Sequence, residues 1–127
     1  GRPPRRGLDD AFVVTDKHIA AAGSLSAALS IARAAAGHMR VVEVEIDRLD
    51  QLEEALAHAP NAVLLDNFAL ADLAAAVAIT RGRAVLEASG GVNLETAPAI
   101  AETGVDVISV GALTHSAPAL DIGLDAV

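Results

Sequence analysis

Short β-branched or aliphatic runs alternate with alanine-rich stretches along the whole chain, and this period limits the fold more than any other feature. The runs are Phe12–Thr15, Val41–Ile46, Ala62–Leu65, Ala84–Leu86 and Val105–Val110. Counted from Val42, Ala62, Ala84 and Asp106, the spacings are 20, 22 and 22 residues. One strand and one helix fill each period with short loops, and strands that alternate with helices pair in parallel. The expected fold is therefore α/β: a partial (β/α) barrel of about five βα units, with residues 1–127 forming one domain.

The helical stretches carry their own signals. Ser24 is placed to cap a segment whose Leu25, Ala28, Leu29 and Ala32 share one face, ending near Gly37. Leu49, Leu52 and Leu56 repeat at helical spacing after Asp47, and Leu70, Leu73 and Val77 do so after Asn67. Leu94, Ala97, Ile100 and Ala101 follow Asn93 and stop at Gly104. Pro98 conflicts with a start at Asn93, so either Thr96 is the true cap or the first turn is distorted.

A parallel sheet of five strands has two edges to cover. The pattern resembles most of a barrel without its beginning, so pairing with another chain, or marginal stability alone, is expected. The chain starts at Gly1 rather than Met, as a fragment or a processed product would. Arg2, Arg5 and Arg6 crowd three of the nine Lys and Arg into the first six residues. That stretch reads either as a solvated tail or as an anion-binding arm over an acidic body.

Composition excludes several classes. At 53% hydrophobic residues the chain is too apolar for acidic disorder. No apolar run is long enough to span a membrane. With no Cys there is no disulfide, zinc–thiolate site or thiol nucleophile. A formal charge of −8, with two Phe as the only aromatics, argues against nucleic-acid binding. No signal peptide is visible, so a cytoplasmic location is expected.

Ligands in α/β folds and barrels bind beyond the carboxyl ends of the strands, and polar residues collect there. Thr15-Asp16-Lys17-His18 follows the first run, Leu64-Leu65-Asp66-Asn67 closes the third, and Leu86-Glu87-Ala88-Ser89 closes the fourth. In the second, alternation puts Glu43, Glu45 and Asp47 on one face and the aliphatics on the other. The aliphatics should meet the helices, which turns the acids into the barrel. Interior carboxylates need cations, donors or a metal. Mg²⁺ fits, because it takes carboxylates and water and arrives with phosphorylated substrates. Internal Lys or Arg pairs are the competing explanation, and helix capping competes for Asp47 and Asp66.

Two small-residue loops end the last two strands: Ser89-Gly90-Gly91 and Val110-Gly111-Ala112-Leu113-Thr114-His115-Ser116. Bare amides and helix N-termini suit a phosphate, and barrel enzymes often bind phosphate at these final loops. His18 and His115 are candidate donors to phosphate or substrate. Each could equally be a structural histidine.

Gly7-Leu8-Asp9-Asp10, Asp16-Lys17-His18-Ile19-Ala20-Ala21-Ala22-Gly23, Glu43-Val44-Glu45-Ile46-Asp47, Leu64-Leu65-Asp66-Asn67-Phe68, Glu87-Ala88-Ser89-Gly90-Gly91 and Ser109 to Ser116 occur in order. Together they resemble the carboxyl-terminal barrel portion of the quinolinate phosphoribosyltransferases. The resemblance runs across essentially the whole chain but under half of a family member, which also has a preceding α/β sandwich domain and the first part of the barrel.

The resemblance implies phosphoribosyl transfer from phosphoribosyl pyrophosphate to quinolinate, with release of pyrophosphate and carbon dioxide, formation of nicotinate mononucleotide, and Mg²⁺ as cofactor. It assigns Glu45 and Asp66 to the ribose and metal, as catalytic acids. Ser89, Gly90, Gly91, Gly111, Ala112 and His115 become phosphate-binding residues. Arg5, Thr15, Lys17 and His18 stand at substrate-binding positions. The family usually has Lys where this chain has Thr15, and His where it has Pro4, so feeble activity is expected. Lys17, two residues from Thr15, would restore the charge if the strand reached that far. A homodimer is implied. Family members complete the site with the partner's amino-terminal domain, so a dimer of this chain alone is expected to use another surface. The alternatives are a noncatalytic remnant or assembly module, and another phosphate-binding barrel lyase or isomerase.

Overall fold

The computed structural model describes residues 12–37 and 41–110. Five strands appear where the aliphatic runs lie: β1 Phe12–Val14, β2 Val42–Ile46, β3 Ala62–Asp66, β4 Val85–Ser89 and β5 Val107–Ile108. They form one sheet in the order β1-β2-β3-β4-β5, every pair parallel. Between them run α1 Asp16–Ala22, α2 Leu25–Ala36, α3 Leu52–Ala57 after a 3-10 turn at Leu49–Gln51, α4 Leu70–Thr80 and α5 Ala97–Glu102. Successive helices pack on one another, as the same right-handed crossover repeated strand after strand requires. The expected arc of βα units is therefore present.

Alternation along the strands separates two faces. Val42, Val44 and Ile46 of β2, Val63 and Leu65 of β3, and Leu86 and Ala88 of β4 are buried with Leu29, Leu52, Leu56, Leu73 and Ala76 of the helices. The other face carries cross-strand rows set by the register. One is Val13, Glu43, Ala62 and Val85; the next is Glu45, Leu64, Glu87 and Val107; above it Asp66 pairs with Ser89. Val13 and Val85 are exposed, so this inner face is open among the described residues.

A repeated polar device sets the register at the other end of the sheet. Asn61 donates its backbone N–H to the Val42 carbonyl (2.8 Å), while its side-chain Oδ1 accepts the Val42 N–H at 2.8 Å. Asp106 does the same to Leu86, at 2.9 Å in both directions. Each residue stands one position before its strand. A parallel edge amide that would otherwise lose its partner is satisfied by a side chain.

Local expectations are mostly met. Ser24 caps α2 by accepting from the Ala27 N–H, and Leu25, Ala28, Leu29 and Ala32 are its buried residues. Helix α5 starts after Thr96, with Pro98 in its first turn where no N–H is needed. Asn93 caps the preceding turn, taking the Glu95 and Thr96 amides on Oδ1. Two leucines that open the apolar helical repeats are exposed. Leu70 is the first residue of α4 and Leu94 lies in the turn before α5, so neither reaches the sheet.

Helix α1 is the element the aliphatic period did not reveal. Thr15 is its N-cap and Gly23, at φ +100°, ends it in the left-handed region. It also overturns the argument for Lys17. The strand stops at Val14, so Lys17 is exposed on α1 and does not share a strand face with Thr15.

Candidate active site

The carboxylates converge as the strand alternation required. Glu43 is 6% exposed on the inner face. Its carboxyl is held above the ordinary carboxylate range by burial and then by the nearby charge of Glu87. Glu45, half-buried one row higher, is also pushed up, by burial and then by Asp66, Asp16 and Asp47 in turn. Acids from the end of β3 (Asp66), the first turn of α1 (Asp16) and the residue after β2 (Asp47) thus crowd one carboxylate. Glu87, on β4, receives a hydrogen bond from the Ser109 hydroxyl.

Among the described residues, Lys or Arg pairing accounts for Asp47 alone, and helix capping accounts for neither Asp47 nor Asp66. Among the described residues, the salt bridges join Arg48 to Asp47 and Asp50 on the surface, and Glu43, Glu45, Asp66 and Glu87 have none. Asp47 and Asp66 do not cap helices either: the 3-10 turn is capped from Arg48, and α4 from Ala69. Like charges gathered together make one another's ionisation more costly, and a bound cation relieves that cost. No group of three His, Asp or Glu among the described residues could by itself hold a metal ion.

The glycine turn meets this acidic rim at Asp66. Asp66 and Ser89 are register partners on β3 and β4, and the Asn67 N–H donates to the Ser89 carbonyl at 2.8 Å. Gly90 and Gly91 follow at φ +79° and +68°. A Cβ on Gly90 would come within 2.5 Å of Asp66 Oδ1. The backbone of the turn therefore lies directly against the carboxylate, an approach that only glycine permits. An open depression of about 470 Å³ borders the same turn, lined by Asn67, Phe68, Gly90, Gly91 and Thr96 among others.

The remaining candidates divide. His18 is exposed, at the third position of α1, where its Nδ1 accepts the Thr15 N–H at 3.1 Å and lies 3.0 Å from the Thr15 hydroxyl. The two side chains are thus joined in a helix cap, which the spacing Thr15-x-x-His18 could have signalled. Arg5, Gly111, Ala112 and His115 lie outside the described residues.

The comparisons with known proteins agree with this geometry. Residues 1–125 match the family model "Quinolinate phosphoribosyl transferase, C-terminal domain". The nicotinate-nucleotide pyrophosphorylase (carboxylating) of Mycobacterium leprae (strain TN) is 49% identical over 124 residues, 95% of this chain and 43% of that protein. The Rattus norvegicus protein of the same name is 41% identical over 123 residues, 94% of this chain and 41% of its own length. Among solved structures, the nicotinate-nucleotide pyrophosphorylase from Francisella tularensis superposes with a TM-score of 0.78 at 44% identity, over 85% of this chain and 38% of that one. The chain thus spans less than half the length of these relatives. A match this long and this similar, on a sheet whose acids and glycines meet at one rim, leaves no doubt of kinship: the chain belongs to the quinolinate phosphoribosyl transferase family and corresponds to its C-terminal domain.

Proposed function

We propose that this chain carries the phosphoribosyl-binding half of a carboxylating nicotinate-nucleotide pyrophosphorylase. It would transfer phosphoribose from phosphoribosyl pyrophosphate to quinolinate, and nicotinate mononucleotide, pyrophosphate and carbon dioxide result. The observation that carries this reading is the packing of Gly90 against the Asp66 carboxylate. It puts bare amides for a phosphate and acids for a cationic sugar side by side.

The chemistry follows from that pairing. As the ring nitrogen of quinolinate bonds to the anomeric carbon, the bond to pyrophosphate breaks and positive charge builds on the ribose. Fixed carboxylates at Glu45 and Asp66 stabilise that charge more than the neutral ground state. The amides of Ser89, Gly90 and Gly91 would hold the phosphate. Mg²⁺ would be held by Glu45 and Asp66 together with the substrate's own oxygens and water. That mode needs only one or two protein carboxylates, as many as the described rim offers. When bound, it would neutralise the pyrophosphate and the crowded acids.

Substrate recognition is weaker on this chain. Thr15 brings no cation to quinolinate's two carboxylates, and its hydroxyl is engaged with His18. Arg5 and His115 are proposed contributors from outside the described residues. A dimer and a cytoplasmic location belong to the same reading. No single described helix is long and apolar enough to cross a membrane. Incubation with quinolinate, phosphoribosyl pyrophosphate and Mg²⁺ tests the proposal. Slow, stoichiometric release of pyrophosphate and carbon dioxide supports it; a lyase or isomerase, or a noncatalytic module, would release neither.

A further inference from the structure

The contact between the glycine turn and the acid rim is held by a residue that the reaction itself does not use. Asn67 sits at φ +58°, a left-handed conformation that asparagine tolerates better than most residues. This bend turns its backbone N–H onto the Ser89 carbonyl at 2.8 Å. Its side chain lies along both glycines. A Cβ on Gly90 would stand 3.0 Å from the Asn67 nitrogen and 3.1 Å from its Cγ, and one on Gly91 would stand 3.0 Å from its Oδ1. Asp66, its chain neighbour, touches the same turn. One dipeptide therefore sets both an acid and an asparagine side chain against the glycine turn.

We propose that Asn67 is a positioning residue: its side chain braces the Ser89–Gly91 turn and so sets the spacing between the phosphate-binding amides and the Asp66 carboxylate. The inference rests on the proposed phosphoribosyl-binding role for its purpose, but not for its geometry. A turn with two glycines is otherwise free to move, because each glycine has a wide choice of backbone conformations. Bracing it from β3 makes acid and amides a single rigid unit, and misplacement by about 1 Å is enough to cost roughly 10²-fold in a positioned reaction.

The test uses the full chain and two variants. Asn67→Gly keeps the left-handed backbone and the bond to Ser89 but removes the brace; Asn67→Asp keeps the shape. Backbone ¹⁵N order parameters are measured first, without ligand. The Gly90 and Gly91 amides should fall from about 0.85 toward 0.6 in Asn67→Gly, remain near the parent in Asn67→Asp, and leave Val63 and Leu65 unchanged in both. Phosphoribosyl pyrophosphate with Mg²⁺ is then titrated, and Asn67→Gly should bind roughly tenfold more weakly than the parent. Unchanged order parameters in Asn67→Gly, or a loss spread evenly over the sheet, overturn the brace whatever the titration gives. A loosened turn in a chain whose parent binds no phosphoribosyl pyrophosphate upholds the brace and overturns the functional reading instead.

Discussion

Replacing Gly90 by alanine separates two effects that usually come together. Gly90 and Gly82 have nearly the same backbone conformation, φ +79° and +78°. A Cβ on Gly82 meets nothing within 4 Å, whereas one on Gly90 falls 2.5 Å from Asp66 Oδ1 and 3.0 Å from the Asn67 backbone nitrogen. Placing alanine in the left-handed region costs about 1–2 kcal/mol. The stiffer unfolded chain returns roughly 0.4–1 kcal/mol of that. Gly82→Ala should therefore destabilise by about 0–1.6 kcal/mol. Gly90→Ala adds a clash with the Asp66 carboxylate oxygen at 2.5 Å and a tight approach to the Asn67 backbone nitrogen at 3.0 Å, and overpacking of this kind costs about 1–3 kcal/mol more. The total for Gly90→Ala is about 1–5 kcal/mol. At about 4 °C per kcal/mol for a domain of this size, thermal unfolding midpoints should fall by up to about 6 °C for Gly82→Ala and by about 4–12 °C more than that for Gly90→Ala. Circular dichroism melts of the parent and the two variants read this directly. Equal midpoints for the two variants would refute the reasoning, because the turn would then not lie against Asp66.

Other perturbations probe the inner face and the register. Glu43 and Glu45 have raised folded pKa values, so the folded state holds their protons more tightly than the unfolded chain. Stability is fully present below the unfolded value of about 4.5 and is lost as pH rises through the folded values. Urea midpoints should therefore decline as pH rises from about 4.5 toward neutrality, and Glu43→Gln should flatten that slope and raise stability at pH 7. Asn61→Ala leaves the Val42 N–H without its side-chain acceptor and should cost about 1–3 kcal/mol by urea denaturation. Thr80 is 1% exposed and its hydroxyl has no hydrogen-bond partner among the described residues, so Thr80→Val should stabilise by about 1 kcal/mol. Where turnover is measurable, Glu45→Gln or Asp66→Asn should lower the rate of pyrophosphate release by about 10²–10³-fold.

The parallel sheet was legible because the helix-facing residues of each strand are aliphatic and the period is short. Strand positions β1 to β3 follow the apolar runs closely. Strand β4 runs on to Ser89, past the last residue of the aliphatic run at Leu86, because Glu87 and Ser89 face inward where polarity is tolerated. Helix α1 escaped because none of its residues is buried, so it has no apolar stripe to detect. Its signals were local instead: Thr15, Asp16 and Gly23 at the cap, first-turn and terminal positions. That omission led to the strand argument for Lys17. The inward-facing Glu43 and Glu45 were legible from alternation in β2, whereas Asp47, the third acid of that pattern, lies past the strand, exposed and paired with Arg48. The brace at Asn67 was not legible, since contact between β3 and the turn after β4 depends on the Asp66–Ser89 register, which no local pattern encodes. Asn61 and Asp106 escaped for the same reason: each acts on a strand about twenty residues away.

The account turns on acids and bare amides sharing one rim that receives a phosphorylated sugar. The most direct measurement is a two-dimensional ¹H–¹⁵N spectrum of the chain titrated with phosphoribosyl pyrophosphate and Mg²⁺. The amides of Ser89, Gly90 and Gly91 should shift together with those of Glu45 and Asp66, and Asp66→Asn should weaken the whole set. No shifts at saturating ligand, or shifts gathered at the opposite end of the sheet around Asn61 and Asp106, would contradict it.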